Sequence, residues 1–231
     1  MAYKYTLKPK RSWLSLPWIK DFPHEFQEEP DGCAAAASAM VYKSLGHSVP
    51  QKEIFKAISV SDPRTGGMTC LHQLQYLDAL VRGFHALYVR VINPIEVLKD
   101  CLQHSIRVLV QQRGGPNSTA GHSGVLVGID EKYVWEHCSA NGPLQAYLHN
   151  EILERLAPIE ENGSVGLGNA LLLISNPLIV KHVCKKCHSI IPEFITCLNC
   201  GKSIRLSPVG VLGCIQPECI EHTWLNIHCP F

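Results

Sequence analysis

Two sets of residues in this chain carry chemistry in their types and spacing. The first is a thiol at the mouth of a predicted helix. In QEEPDGCAAAASAM, Cys33 follows a polar, acidic segment and opens a run of alanines, with Gln27 six residues before it. A thiol at a helix N-terminus lies near unpaired backbone N–H groups and the positive end of the helix dipole, and both favour the reactive thiolate. A thiol nucleophile also needs a base, most often histidine. GHSGVLVGID supplies His122 at the start of a predicted strand, after a glycine-bearing loop. In that arrangement Cys33 attacks a carbonyl and His122 takes the proton. The side-chain N–H₂ of Gln27 and the backbone N–H of Cys33 stabilise the oxyanion. Taken singly each residue is ordinary, since an alanine-flanked cysteine packs in a core and a glutamine in an acidic segment is solvated. The combination points to nucleophilic catalysis.

The second set is in the tail. VCKKCHSIIPEFITCLNCGK holds one C-x-x-C at Cys184 and Cys187 and another at Cys197 and Cys200, nine residues later. Two such turns facing each other supply four thiolates in a tetrahedron, the geometry of a structural Zn²⁺ ribbon with no open position for catalysis. Downstream, Cys214, Cys219, His222 and Cys229 are candidates for a second zinc, with His228 an alternative to His222. Two reduced or disulfide-linked cysteine pairs are the plainer reading. Seven of the eleven cysteines fall between residues 184 and 229. Their close pairing and odd total fit metal ligands in a reducing, cytoplasmic setting better than a disulfide framework.

The elements that must position these residues follow from periodicity. Residues 32–45 read as a helix with Asp31 as N-cap and Gly46 as its stop. A second helix is predicted at 51–58. A third is predicted at 70–82, where Leu71, Leu74, Leu77 and Leu80 recur with helical spacing and Gly83 ends the run. PIEVLKDCLQ reads as a helix with Pro94 at its first position, and NEILERL as a short one. FHALYVRV, IRVLVQQ, HSGVLVGID, KYVWEHC and ALLLIS read as strands, with a turn at Asp130 and Glu131 between the third and fourth. Helices first and a mostly antiparallel sheet after them make an α+β fold. Composition divides the chain into a catalytic domain over residues 1–176 and a zinc-ribbon domain over 177–231, joined by the linker ISNPLIVKHV.

QEEPDGCAAAASAM and GHSGVLVGIDEKYVW resemble the bacteriocin-processing cysteine peptidases, the papain-like family that cleaves double-glycine leaders. The resemblance covers roughly residues 24–175. It implies a papain-like fold, Cys33 as nucleophile, His122 as general base and Gln27 as oxyanion residue. Two positions depart from the family. Glycine precedes the cysteine at Gly32 instead of following it, and Cys138 occupies the slot of the family's aspartate, sixteen residues after the histidine. A neutral thiol is a poor acceptor for an imidazole N–H, so Glu136, His137 and Asn141 are the candidates to orient His122.

Other features set limits. A net charge of +1 selects neither nucleic acid nor an anionic membrane, and no stretch approaches the 18 apolar residues of a membrane span. Residues 1–20 hold no long apolar run, so no secretory signal is expected. Lys181, Lys185, Lys186, Lys202 and Arg205 give the tail a small cationic patch, a weak signal for nucleic acid and an equal one for docking a protein partner. Three functions remain: a cysteine peptidase or related acyl-transfer enzyme acting on a peptide, a catalytically degenerate peptide-binding domain, and a metal site built from Cys33, His122 and Cys138.

Overall fold

The computed structural model describes residues 21–63, 66–114, 121–158, 160–161, 164–165, 168–177, 182–206 and 213–231. Most of the expected N-terminal arm, much of the RGGPNSTAG loop, the middle of the linker and Lys181 lie outside the described residues. The helices are α1 (Cys33–Ser44), α2 (Gln51–Ile58), α3 (His72–Val81), α4 (Pro94–Gln103) and α5 (His149–Leu156). A small hairpin of β1 (Ser59–Ser61) and β2 (Met68–Cys70) links α2 to α3. Then come β3 (His85–Val91), β4 (Arg107–Arg113), β5 (Gly121–Ile129), β6 (Tyr133–Cys138) and β7 (Gly142–Leu148). After α5 follow β8 (Glu160–Glu161), β9 (Ser164–Val165) and β10 (Ala170–Ser175). The tail holds β11 (His182–Val183), β12 (Ile190–Ile191), β13 (Phe194–Thr196), β14 (Ser203–Arg205) and β15 (Trp224–Ile227).

One seven-stranded antiparallel sheet, in the order β15-β3-β10-β4-β5-β6-β7, organises the α+β fold. Both faces are covered, so its central strands lack the polar alternation of a half-exposed sheet. In ALLLIS, Ala170, Leu172 and Ile174 pack with α1, α2 and α3, whereas Leu171 and Leu173 pack with α4 and α5. α1 is surrounded: Ala34 to Tyr42 are all buried, and the small alanine side chains let the helix sit close to sheet and neighbours on several sides. Edge strand β7 is absent from the sequence reading because Gly142, Pro143 and Gln145 break its apolar pattern, and Pro143 is acceptable there because an edge strand need not donate on both sides.

One local expectation changes. The N-cap of α1 is Gly32, with no side-chain cap, so Asp31 does not cap the helix and Cys33 is its first residue. The buried face of α3 is Gln75, Tyr76, Asp78 and Ala79, with Leu71 exposed and Leu74, Leu77 and Leu80 only half-buried. A strict spacing of three falls behind the 3.6-residue turn and walks off the buried stripe.

The tail is built onto the same sheet. β15 pairs with β3 at the sheet edge, and Ile191, Ile204 and Leu206 share a core cluster with Leu87, Val89 and Leu98. The compositional boundary at 176 thus separates segments that share a core. Leu172 is fully buried between α1–α3 and the sheet. Leu172→Ala is expected to lower stability by about 2–5 kcal/mol, read as a fall in the denaturation midpoint at unchanged slope.

Candidate functional site

A ladder of buried amides fixes where α1 begins relative to β5. Gln75 Nε2, on α3, donates to the Ala34 carbonyl and the Ser38 hydroxyl, each at 2.9 Å. Gln75 Oε1 accepts from Gln111 Nε2 at 2.9 Å, and Gln111 Oε1 accepts from the Ser123 hydroxyl at 2.9 Å. All five residues are buried. At the top of this ladder the Cys33 sulfur accepts from the backbone of Ser123, next to His122 in β5. The structure therefore brings Cys33 and His122 to one end of the same strand.

Cys138 closes the group from the other side. β5 and β6 pair Gly124 with Cys138, so His122 and Cys138 are diagonal neighbours on one face. Cys138 Sγ lies 3.2 Å from His122 Nε2. The backbone N–H of Asn141 donates to the same sulfur at 3.3 Å. The segment ahead of α1 is laid along this end of β6: His24 Nε2 donates to the Cys138 carbonyl at 3.0 Å and Gln27 N–H to the Ser139 carbonyl at 3.1 Å.

The candidate orienting residues are engaged elsewhere. His137 Nε2 donates to the Phe22 carbonyl and its Nδ1 accepts from Leu144 N–H, both at 3.2 Å. Glu136 Oε1 accepts from Gln112 Nε2 at 2.6 Å, and Gln112 Oε1 accepts from Arg155 Nε at 2.8 Å. Its carboxyl lies over Gly124, where an added Cβ would come 2.6 Å from Glu136 Oε2. Asn141 turns its backbone to Cys138. Gln27 spends its side-chain hydrogens on its own loop, donating from Nε2 to the Glu29 carbonyl at 3.1 Å and the Pro30 carbonyl at 2.6 Å, while Oε1 accepts from Ser139. Cys70, which the sequence did not single out, sits at the same helix mouth, its thiol 3.6 Å from the Asp31 carbonyl.

Burial outweighs the helix dipole. Desolvation pushes the Cys33 thiol above its ordinary value, although the backbone N–H groups of Ser123 and Ala34 pull it down. Desolvation, with the Arg155 charge behind it, pushes His122 down to about 4. Both groups therefore rest neutral, in place of the ready-made thiolate that a helix N-terminus suggests. Cys33, His122 and Cys138 are also not a metal-type cluster, since the ligand groups found among the described residues lie only in the tail.

In the tail, the two C-x-x-C motifs form matching hairpin turns. His188 N–H donates to the Cys184 carbonyl and Gly201 N–H to the Cys197 carbonyl, and both fifth residues adopt positive φ, 59° at His188 and 70° at Gly201. The pairs do not face each other as expected. Cys184 and Cys187 stand with Cys214 and Cys219, and Cys197 and Cys200 stand with Cys229. Within each group the sulfurs lie within 4.8 Å of one another. His222 is outside both groups, because its Nδ1 donates to the Cys214 carbonyl at 2.8 Å. The regrouping has a topological cause. Cys229 follows β15, which is held on the main sheet, and this sets it beside the second hairpin, away from Cys214 and Cys219. Of the cationic residues, Arg205 pairs with Glu193 and lies over Phe194, and Lys202 lies over Phe231.

The family model described as the Peptidase_C39 like family matches residues 19–148, more than half of the chain. The chain belongs to that family. The matched span contains Cys33, His122, Cys138 and the amide ladder, and ends before the cysteine-rich tail. A putative C39-like peptidase from Bacillus anthracis has a similar structure, at 12% identity and TM-score 0.53, covering 69% of this chain and 97% of that one. The double glycine motif protease of an AMS/PCAT transporter, solved with its leader peptide, is 20% identical, with TM-score 0.48 over 67% of this chain and 91% of that one. The peptidase domain of Streptococcus ComA, a bifunctional ABC transporter involved in quorum sensing, is 12% identical, with TM-score 0.49 over 68% of this chain and 99% of that one. No curated protein matches the chain. The papain-like fold of the C39 peptidases is thus the fold of this protein.

The electrostatics make a directional prediction for Cys33. Its pKa is raised, and His122, already neutral above about pH 4, supplies no imidazolium to hold a thiolate. Alkylation of Cys33 by iodoacetamide, mapped by mass spectrometry, is expected to climb steadily from pH 6 through pH 9 without a plateau in the acidic range.

Proposed function

We propose that this protein is a cysteine peptidase acting on a peptide substrate, with Cys33 as nucleophile and His122 as general base. The observation that carries this reading is the placement of Cys33 as the first residue of a helix buried from Ala34 to Tyr42, its sulfur against the backbone of Ser123, the residue that follows His122 in β5, in a chain of the C39-like family. Cys33 S–H gives its proton to His122 as sulfur attacks the peptide carbonyl. The imidazolium then returns the proton to the leaving amine, and water hydrolyses the acyl-enzyme with His122 again as base. The backbone N–H groups at the start of α1 receive the oxyanion. Gln27 joins them when one of its amide hydrogens leaves the carbonyl of Glu29 or Pro30. Because both groups rest neutral, His122 acts as a base toward a thiol rather than sitting in a preformed ion pair.

A second reading, a domain that binds peptide without turnover, is favoured by one observation: a thiol, Cys138, stands where the family carries its acid. The two readings separate in one experiment. The protein is incubated with a peptide library, and products are read by mass spectrometry against Cys33→Ser. Cleavage lost by about a thousandfold or more in the variant supports the enzyme, whereas equal product from both proteins sinks it, and retained peptide binding without cleavage leaves the binding domain.

We assign the four-sulfur group Cys184, Cys187, Cys214 and Cys219 to a structural Zn²⁺, and Cys197, Cys200 and Cys229 to a second ion with one coordination position outside these residues. Sulfur-only donors in sets of four and three favour zinc among common divalent ions. Residues 1–176 carry the chemistry, and 177–231 form a zinc-stapled element that docks substrate or partner. None of the eleven cysteines is in a disulfide, which fits a reducing, cytoplasmic setting. Metal analysis of the purified protein is expected to give two zinc ions per chain. Cys214→Ser and Cys229→Ser should each remove one, and loss of both ions from either single variant would contradict the assignment of separate ligand sets.

A further inference from the structure

We propose that Cys138 is the hydrogen-bond acceptor that orients His122, a sulfur in the role of the triad carboxylate. This rests on the reading of His122 as the base for Cys33. The argument begins with what surrounds the Cys138 sulfur. The backbone N–H of Asn141 points at it from 3.3 Å, and the backbone of Ala140 and the side chain of Asn141 also donate to it. The tight turn from Ser139 to Gly142, where β6 passes into β7, therefore wraps the sulfur in donors. The sulfur thus already accepts from the turn, while burial keeps its own hydrogen on it, and His122 Nε2 lies 3.2 Å away. In this proposal Nε2 carries the hydrogen and donates it to sulfur.

That choice decides the tautomer. With the hydrogen on Nε2, Nδ1 is the basic nitrogen and is free to receive the Cys33 proton. The opposite arrangement, with Cys138 S–H donating to Nε2, would place the hydrogen on Nδ1 and leave the base unable to act. When the proton passes from Cys33 to Nδ1, no bond to Cys138 forms or breaks. The positive charge appears on the imidazolium, and the donor-wrapped sulfur stabilises it by accepting from Nε2–H. Sulfur is a weaker acceptor than a carboxylate oxygen, so the device orients the ring more than it strengthens the base. The alternatives lack this placement: His137 is pinned through both nitrogens to Phe22 and Leu144, and the Glu136 carboxyl is held by Gln112.

The surroundings of Cys138 are specific to this geometry. Its carbonyl is held by His24, its register is set by Gly124 across β5, and Gly142 pairs with it from β7. The sulfur has little freedom to leave the imidazole. Cys138 is accordingly a positioning residue that touches the base and never the substrate.

The test uses the full chain with Cys138→Ala, Cys138→Asn and Cys138→Asp, each checked for unchanged near-ultraviolet circular dichroism and zinc content. Asparagine offers a neutral oxygen acceptor of similar size, so it carries the experiment if a buried aspartate fails to fold. Two readouts are taken. Nitrogen NMR of the histidines, with His122 assigned by its loss in His122→Gln, reports which ring nitrogen is protonated and needs no substrate. Peptide cleavage reports kcat and KM. The expected result is a protonated Nε2 in the wild-type protein, loss of that preference in Cys138→Ala, and a fall in kcat of about a hundredfold or more with KM little changed. Asn or Asp at 138 should restore both the tautomer and kcat. A wild-type ring protonated on Nδ1 would overturn the proposal, as would folded Asn and Asp variants that behave like Ala. If no peptide is cleaved by any form while the tautomers follow this order, the peptidase reading fails and the role of Cys138 as acceptor stands.

Discussion

The structure depends on how one helix end is held against one strand. The buried residues of the first half of α1, Ala34 to Ala39, are alanines and one serine, so its N-terminal half has no large side chain to lock its position along the sheet. The lock is polar. Gln75, Gln111 and Ser123 form a line of three amide and hydroxyl hydrogen bonds from the first turn of α1 to β5, all of them away from water. A buried amide without its partner costs about 1–3 kcal/mol, so sliding α1 by a fraction of a turn would break both bonds from Gln75 to Ala34 and Ser38. Apolar packing between alanines and a sheet tolerates such slippage, but a satisfied polar line does not. This line sets where the Cys33 end of α1 lies along β5.

Around that anchor the chain uses the same logic twice more. The segment from Phe22 to Gln27 is held to the end of β6 by His137, His24 and Ser139, so the approach to α1 and the turn after Cys138 belong to one connected patch. The charges beneath the site are similarly contained. Glu136 is buried and its carboxyl is pushed up by desolvation, with Arg155 and Gln112 as counterweights. Gly124 makes this possible, since any side chain there would collide with the carboxyl. The same buried surroundings keep His122 and Cys33 neutral at rest.

The tail follows a different rule, because its order comes from sulfur and sheet together. Neighbouring hairpins do not share one set of ligands. Each hairpin meets a cysteine from later in the chain, the first Cys214 and Cys219 and the second Cys229. The two cysteine groups therefore alternate along the sequence, and each closes a loop across the other. Such interleaving ties the tail to itself, while β15 ties it to β3. The hairpins are also anchored by Ile191, Ile204 and Leu206, which pack into the main core cluster.

Much of this was legible in the residues. Cys33 at a helix start, His122 on a strand and the α+β order of elements follow from motif and periodicity, which are local properties. The 51–58 helix and the Pro94 start of α4 appear where the sequence places them, because caps and apolar spacing act within a few residues. What the sequence could not supply is pairing between distant segments. The leucine spacing did not mark the buried face of α3, because the face is chosen by Gln75 and Tyr76 finding partners on other elements. The cysteine ligand sets were mis-sorted, because proximity in sequence is not proximity in space once β15 has joined the main sheet. The ionisation of the site was misjudged as well, since a helix N-terminus acts locally whereas desolvation depends on everything packed around it. Residue types and their spacing determined which groups are available to react. Only the tertiary structure decided which nitrogen meets which sulfur, because that depends on strand register and on burial, and neither is a property of any single stretch of chain.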